Sequence, residues 1–214
     1  MLEQKLIVNR LIDLNLAPLP VPAYADGDFV LVPVQQCYLR ESTGVFTKTS
    51  TVQPAPGPKA HRNFKWLPWL PGAIAECALV GEDVLTGPMS GCWLVSYRKA
   101  NGVRHAAHLG TDVASAARTT AVNGAWNALA TARPADVIGG FNPLRHWAGP
   151  FPDRQSGEPA APPKIFGLYT TTGQFYAMVA YQQANHNTLL RIAGIQQITS
   201  AATARLQHVD APGP

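Results

Sequence analysis

The chain of 214 residues carries 17 Lys and Arg against 13 Asp and Glu, a formal charge of +4, and only 14% charged residues. With 46% apolar residues it can bury a core, and its scattered basic residues lack the stripe that nucleic-acid binding needs. No apolar run approaches the ~18 residues of a membrane-spanning helix, and the equally scattered carboxylates spell no metal site. The length predicts one domain: an N-terminal helix and Pro-rich extension over 1–23, a single α+β domain over 24–200, and a flexible tail over 201–214.

Taken in chain order, Ile7, Leu11 and Leu14 fall at i, i+4 and i+7, which predicts a short amphipathic helix over 2–15. The sharper alternative for this segment is export or chaperone binding. The start MLEQKLIVNRLIDLNL includes Glu3 and Asp13 and lacks the apolar stretch and cleavage site of a secretory signal. The expectation is a protein that stays in the cytoplasm or is delivered into a target cell by a route that leaves no cleaved signal. Pro18, Pro20 and Pro22 then force extended chain. Phe29–Leu39 reads as a strand, placed at an edge by Pro33. From Arg40 to Lys65 the Thr/Ser-rich and then Pro-rich composition predicts a long surface loop containing one short strand. Trp66-Leu67-Pro68-Trp69 is a rigid apolar element, read as core packing under a loop ahead of a ligand platform. Ala73–Val80 is a short helix or a buried strand.

CWLVSYR and VRHAAHL flank Ala100-Asn101-Gly102, the strongest hairpin signal in the chain. Thr111 or Asp112 is expected to cap a helix running to about Ala132, with Val122, Trp126 and Leu129 on its buried side and Pro134 past its end. A strand over Val137–Leu144, a Pro/Gly loop over 148–163, a second hairpin (Lys164–Thr170 and Gln174–Gln182) and a strand over Thr188–Thr199 follow. The last dozen residues read as a frayed tail. The fold class expected is α+β: a mainly antiparallel sheet or sandwich flanked by helices.

Three cysteines, Cys37, Cys77 and Cys92, are an odd number, which argues against a disulfide scaffold. Cys37 and Cys77 sit in apolar segments without motif context and read as small core residues. A cysteine opening a strand is also commonly a core residue, but the surroundings of Cys92 differ. Thr86-Gly-Pro-Met-Ser-Gly-Cys92 leads into the first hairpin strand, and His105 and His108 lie on the second. A thiol needs a neighbouring base to act at neutral pH. With a two-residue Asn101-Gly102 loop, His108 points away from Cys92. With a three-residue loop and Gly102 left-handed, Leu94 pairs with His108, and Cys92 shares the face of His108 one step of about 7 Å along the strand. His105 lies roughly 17–20 Å along from Cys92 in either register. Geometry therefore selects His108 and requires the three-residue turn. Gly91 lets the chain turn sharply after Ser90, so that backbone N–H groups there can face an oxyanion.

The run Leu85-Thr86-Gly-Pro-Met-Ser-Gly-Cys92, a strand, a turn and His108-Leu-Gly-Thr111 resemble the Cys–His core of the bacterial glutamine deamidases. That group includes the cytotoxic necrotizing factor catalytic domains, the chemoreceptor deamidase and Burkholderia lethal factor. Trp66-Leu67-Pro68-Trp69 is similar to a segment upstream of the nucleophile in the last of these. The resemblance covers residues 85–112 and implies a cysteine-dependent protein-glutamine deamidase acting as a bacterial toxin or effector. It implies Cys92 as nucleophile, His108 as acid and base, Thr86 as the residue that orients His108, and Ser90 and Gly91 as oxyanion support. It implies no cofactor and no metal, and as partners a protein carrying the target glutamine, with a secretion chaperone or immunity protein besides. A Cys–His peptidase, a transglutaminase and a non-catalytic interaction module remain the alternatives.

Overall fold

A computed structural model of the chain describes residues 2–14, 16, 20–33, 35–44 and 48–210. Among them the strands run in chain order as β1 (Leu11–Asp13), β2 (Phe29–Leu31), β3 (Gln35–Thr43), β4 (Lys48–Gln53), β5 (Asn63–Leu67), β6 (Ile74–Ala78), β7 (Asp83–Thr86), β8 (Trp93–Arg98), β9 (Arg104–Leu109), β10 (Val137–Phe141), β11 (Lys164–Tyr169), β12 (Phe175–Gln182) and β13 (Leu189–Ile198). The α-helices are α1 (Ala116–Ala132), α2 (Pro143–His146) and α3 (Thr203–Leu206). Eight strands close into a barrel in the order β1-β13-β12-β11-β7-β5-β3-β4, and five form a second sheet in the order β10-β8-β9-β6-β2.

This corrects the expected fold class. The molecule is mostly β, with a closed barrel against a five-stranded sheet, and is not an α+β sandwich flanked by helices. The difference arises in segments whose strand character is masked by polar composition. Arg40–Lys65, expected as surface loop, supplies the second half of β3, all of β4 and most of β5. β4 (KTSTVQ) buries only Ser50 and Val52, so half its residues can be small and polar and still pair on both sides. The expected strand over Phe29–Leu39 is two strands in different sheets, divided near Pro33, which has no N–H to continue a ladder.

The N-terminal segment also departs from expectation. A 3-10 turn at Leu2–Gln4 replaces the helix over 2–15, Asn9 takes a left-handed φ of 65°, and Leu11–Asp13 completes the barrel between β13 and β4. Leu2, Leu6 and Ile12 are the buried apolar residues and Arg10 is buried with them, whereas Ile7 is exposed. Closing the barrel pairs the edges of β4 and β13, a tertiary gain that a lone amphipathic helix does not offer. Leu11–Asp13, within the expected N-terminal helix and Pro-rich extension, is thus a barrel strand. Pro18 and residues 211–214 lie outside the described residues, but the rest of the expected tail packs: α3 forms, and Leu206 and Val209 are buried.

Four apolar clusters form among the described residues, and three of them position the site. Phe64, Leu39, Leu85, Phe166, Met178 and Ile192, among others, fill the barrel. Leu67, Val84, Tyr169 and Phe175 on its outer face meet Ala75, Cys77, Cys92, Leu94 and Ala106 of the second sheet. The opposite face of that sheet (Ile74, Trp93, Val95, Tyr97, Ala107, Leu109) packs under α1 through Val122, Trp126 and Ala130. The N-cap of α1 is Ser115, whose side chain accepts from the Arg118 N–H, and not Thr111 or Asp112. The sheet carrying β8 and β9 is therefore covered on both faces, which takes water away from everything placed between it and the barrel.

Candidate active site

The hairpin takes the register that brings Cys92 and His108 to one face. Leu94 pairs with His108, Lys99 and Val103 close the turn through the Lys99 N–H to the Val103 carbonyl (3.0 Å), and Gly102 is left-handed at φ 79°. Ala100-Asn101-Gly102 is thus a three-residue loop. Cys92 lies two residues before Leu94, on the same barrel-facing side. His105 pairs with Tyr97 at the far end of the hairpin, packs on its ring and makes no contact with this site.

His108 is fully buried between its sheet and the barrel, and one partner holds it. Its Nδ1 is 2.7 Å from the Thr86 hydroxyl at the end of β7. That hydroxyl also lies 2.7 Å from the Leu67 carbonyl, which can only accept. The single Thr86 proton therefore goes to Leu67, and Nδ1–H of His108 must donate to Thr86. This assigns the tautomer: the proton sits on Nδ1, and Nε2 presents a free lone pair. Nε2 is buried and has no hydrogen-bond partner among the described residues. Burial pushes the imidazole down to about 3, so it rests as a neutral base.

Cys92 is 3% exposed. Its Sγ lies 3.2 Å from the Thr111 hydroxyl and 3.8 Å from the Thr111 carbonyl, and no hydrogen bond joins it to His108. Burial raises the thiol above its ordinary value, opposed by the Thr111 hydroxyl and by the backbone at Ser90 and Thr111. The resting pair is a thiol and a neutral imidazole, not a thiolate–imidazolium pair. Cys37 and Cys77 are pushed up to about 12, burial being the main cause in both, and lack any such hydroxyl.

Three residues that the sequence reading did not select complete the surroundings. Thr111 holds the sulfur. Asn142, fully buried after β10, donates its Nδ2 to the Gly91 carbonyl at 2.7 Å. Trp69 is 43% exposed and donates its indole N–H to the Thr111 carbonyl at 3.1 Å. In Trp66-Leu67-Pro68-Trp69, then, Leu67 is core, Trp66 packs on the barrel interior, and Trp69 stands at the rim of the site. The sequence signal available for Thr111 was its place in His-Leu-Gly-Thr; Asn142 had none. A cleft of about 280 Å³ is lined by Leu14, Gln35, Trp66, Pro68, Pro88 and Leu190, among others; Thr86, Cys92 and His108 do not line it. Among the described residues no group of three His, Cys, Asp or Glu side chains could hold a metal ion, and no helix is long and apolar enough to cross a membrane.

A buried neutral histidine makes stability depend on acid. Unfolded, His108 titrates near 6.5; folded, near 3, so the unfolded state binds the proton first as pH falls. Stability is full above 6.5 and declines below it by about 1.4 kcal/mol per pH unit, hence about 2 kcal/mol at pH 5. In Glu41 and Glu158 burial, which raises a carboxyl, is outweighed by hydrogen bonds from Arg10 and Arg191, so their contributions fade only below the ordinary 4.5. Urea midpoints at pH 7.5 and pH 5 are expected to differ in the wild type and to converge in His108→Gln. An equal difference in both proteins would contradict a neutral buried His108.

No protein-family profile matches the sequence, and no curated protein matches it. Among solved structures, the chain is similar to the C-terminal domain of CNFy from Yersinia pseudotuberculosis, with 10% identity and a TM-score of 0.30. The alignment covers 65% of this chain and 62% of that one.

Proposed function

We propose that the chain is a cysteine-dependent protein-glutamine deamidase, with Cys92 as nucleophile, His108 as general base and acid, and Thr86 as the residue that orients His108. The observation that carries this reading is the tautomer lock. The Leu67–Thr86–His108 relay leaves a bare, unpartnered Nε2 on the face of the sheet that also holds the Cys92 thiol. A purely structural histidine at this position would be expected to use both nitrogens.

In this mechanism the Cys92 side chain leaves Thr111 and gives its proton to Nε2. The thiolate attacks the glutamine carboxamide carbon, and the carbonyl oxygen becomes an oxyanion facing the backbone N–H of Cys92, with Ser90 and Gly91 shaping the turn. Nε2–H protonates the departing nitrogen, ammonia leaves, and a thioester remains. Nε2 then takes a proton from water, whose hydroxide attacks the thioester. The thiolate is expelled and reprotonated, and the product is glutamate. The buried thiol and imidazole are both neutral at rest, so ion-pair formation is tied to arrival of substrate. Proton transfer inside a dry site creates two opposite charges that stabilise each other, where either alone is disfavoured by burial.

The test is a mass-spectrometric comparison of cell lysate treated with wild type and with Cys92→Ser. A mass gain of about one dalton at a glutamine, with ammonia release, present only with wild type, is the expected result. Peptide-bond cleavage would assign a peptidase, and an added amine a transglutaminase. Absence of all three products with folded wild type would remove the catalytic reading altogether.

A further inference from the structure

We infer that Asn142 is the positioning residue that aims the Cys92 N–H at the oxyanion, an inference that rests on the proposed chemistry of Cys92. The side-chain amide of Asn142 has an unambiguous orientation. Its Oδ1 accepts from the backbone N–H of Leu144 (3.0 Å) and of Arg145 (3.3 Å), capping α2, so the group facing the Gly91 carbonyl at 2.7 Å is the Nδ2 donor. Gly91–Cys92 is a trans peptide, since Gly87–Pro88 is the cis bond among the described residues. In a trans peptide the C=O and the N–H that follows it point in opposite directions within one plane. Fixing the Gly91 carbonyl on Asn142 therefore fixes the Cys92 N–H on the other side.

The local chain would not hold this direction unaided. Gly91 sits at φ 101°, where an added Cβ would meet nothing within 4 Å, so no neighbouring side chain packs against this residue to hold the peptide in place. The Cys92 N–H has no backbone partner among the described residues, which leaves it available to a developing negative charge. Asn142 is fully buried and anchored at the end of β10, which pairs along β8 through Phe141 and Leu94. The tether thus joins the loop before Cys92 to the strand beside it. An N–H preset toward the oxyanion needs no reorganisation at the moment of attack.

Two probes that differ only in the oxyanion separate this role from a general one. p-Nitrophenyl acetate acylates a thiolate through a tetrahedral oxyanion, forming the S–C(carbonyl) bond and expelling p-nitrophenolate. Iodoacetamide alkylates the same thiolate by displacing iodide at a saturated carbon, with no oxyanion. Rates are assigned to Cys92 by peptide mass spectrometry and by subtracting the rate of Cys92→Ser. Asn142→Ser keeps an oxygen that can cap α2 but cannot reach Gly91; Asn142→Asp keeps the length and the cap and removes the donor. In both, acylation of Cys92 is expected to fall by roughly 10- to 100-fold, a misdirected oxyanion donor being worth at most what a deleted one is. Alkylation in Asn142→Ser is expected to stay within about two-fold of wild type. Parallel loss of both reactions, or no loss of acylation, in folded variants overturns the inference. Wild-type rates unchanged by Cys92→Ser would instead overturn the underlying assignment of Cys92, a result readable before any Asn142 variant is made.

Discussion

His108→Gln is expected to lower Cys92-dependent ammonia release by about 10²- to 10⁴-fold, the range for removal of a positioned general base and acid. Glutamine is close enough in size to fill the cavity and can still donate to Thr86, so the loss tests Nε2 and not packing. Burial disfavours the Cys92 thiolate, and the described contacts of the thiol offer no base: Thr111 presents a hydroxyl and a carbonyl, neither basic. The effect carries a pH signature. At alkaline pH the thiolate forms without help, so iodoacetamide rates of wild type and variant are expected to converge as pH rises. A constant ratio across pH 6–10, or no loss of activity, would show that His108 does not take the Cys92 proton.

Gly110→Ala is expected to destabilise the fold by about 3 kcal/mol and to disturb the site in the same step. A Cβ at Gly110 would lie 1.9 Å from the Leu70 carbonyl oxygen and 2.7 Å from that of Ala73, both backbone atoms that cannot swing aside. The turn that crosses there is bonded to Gly110 on both sides: the Gly72 N–H donates to the Gly110 carbonyl (2.8 Å), and the Gly110 N–H to the Ala73 carbonyl (2.9 Å). Trp69, just before this turn, is bonded to Thr111, and Thr111 touches Cys92. Pushing the turn away therefore loosens the contacts that seat the nucleophile. Gly124→Ala in α1 is the control of opposite sign: nothing lies within 4 Å of the new methyl, and the helix gains about 0.5–1 kcal/mol. Urea denaturation of the two variants reads both effects. Equal stability of Gly110→Ala and wild type would mean that the turn does not depend on this close approach.

Much of the candidate site was legible because it is built locally. Asn-Gly before a valine defines the hairpin, the pleat decides which histidine shares a face with Cys92, and Ser-Gly before the cysteine marks the turn. Thr86 entered through resemblance, and its contact with His108 depends on β7 of the barrel meeting β9 of the other sheet. Asn142 and Trp69 could not be read, because each reaches the site across a long chain separation: 51 residues from Asn142 to Gly91, and 42 from Trp69 to Thr111. The protonation state of His108 was likewise a question of burial. Only the closing of the barrel against the sheet removes the water that would keep His108 basic.

The sequence by itself determined the hairpins and the long helix before Pro134, and made a shared face for Cys92 and His108 conditional on a three-residue turn, which the structure then supplied, all consequences of backbone geometry over a few residues. Tertiary structure alone decided that the sheets form a barrel and a covered layer. Strand partners such as β1 with β13 or β5 with β7 are chosen by edges that exist only once the rest of the chain has folded. It also decided the protonation of the pair, because a pKa follows the solvent that packing excludes. The three thiols and the low charge visible at the outset acquire their meaning there. Cys37 and Cys77 are sealed in apolar cores, while Cys92 has its sulfur on the Thr111 hydroxyl, on the sheet face that also carries the unpartnered His108 nitrogen.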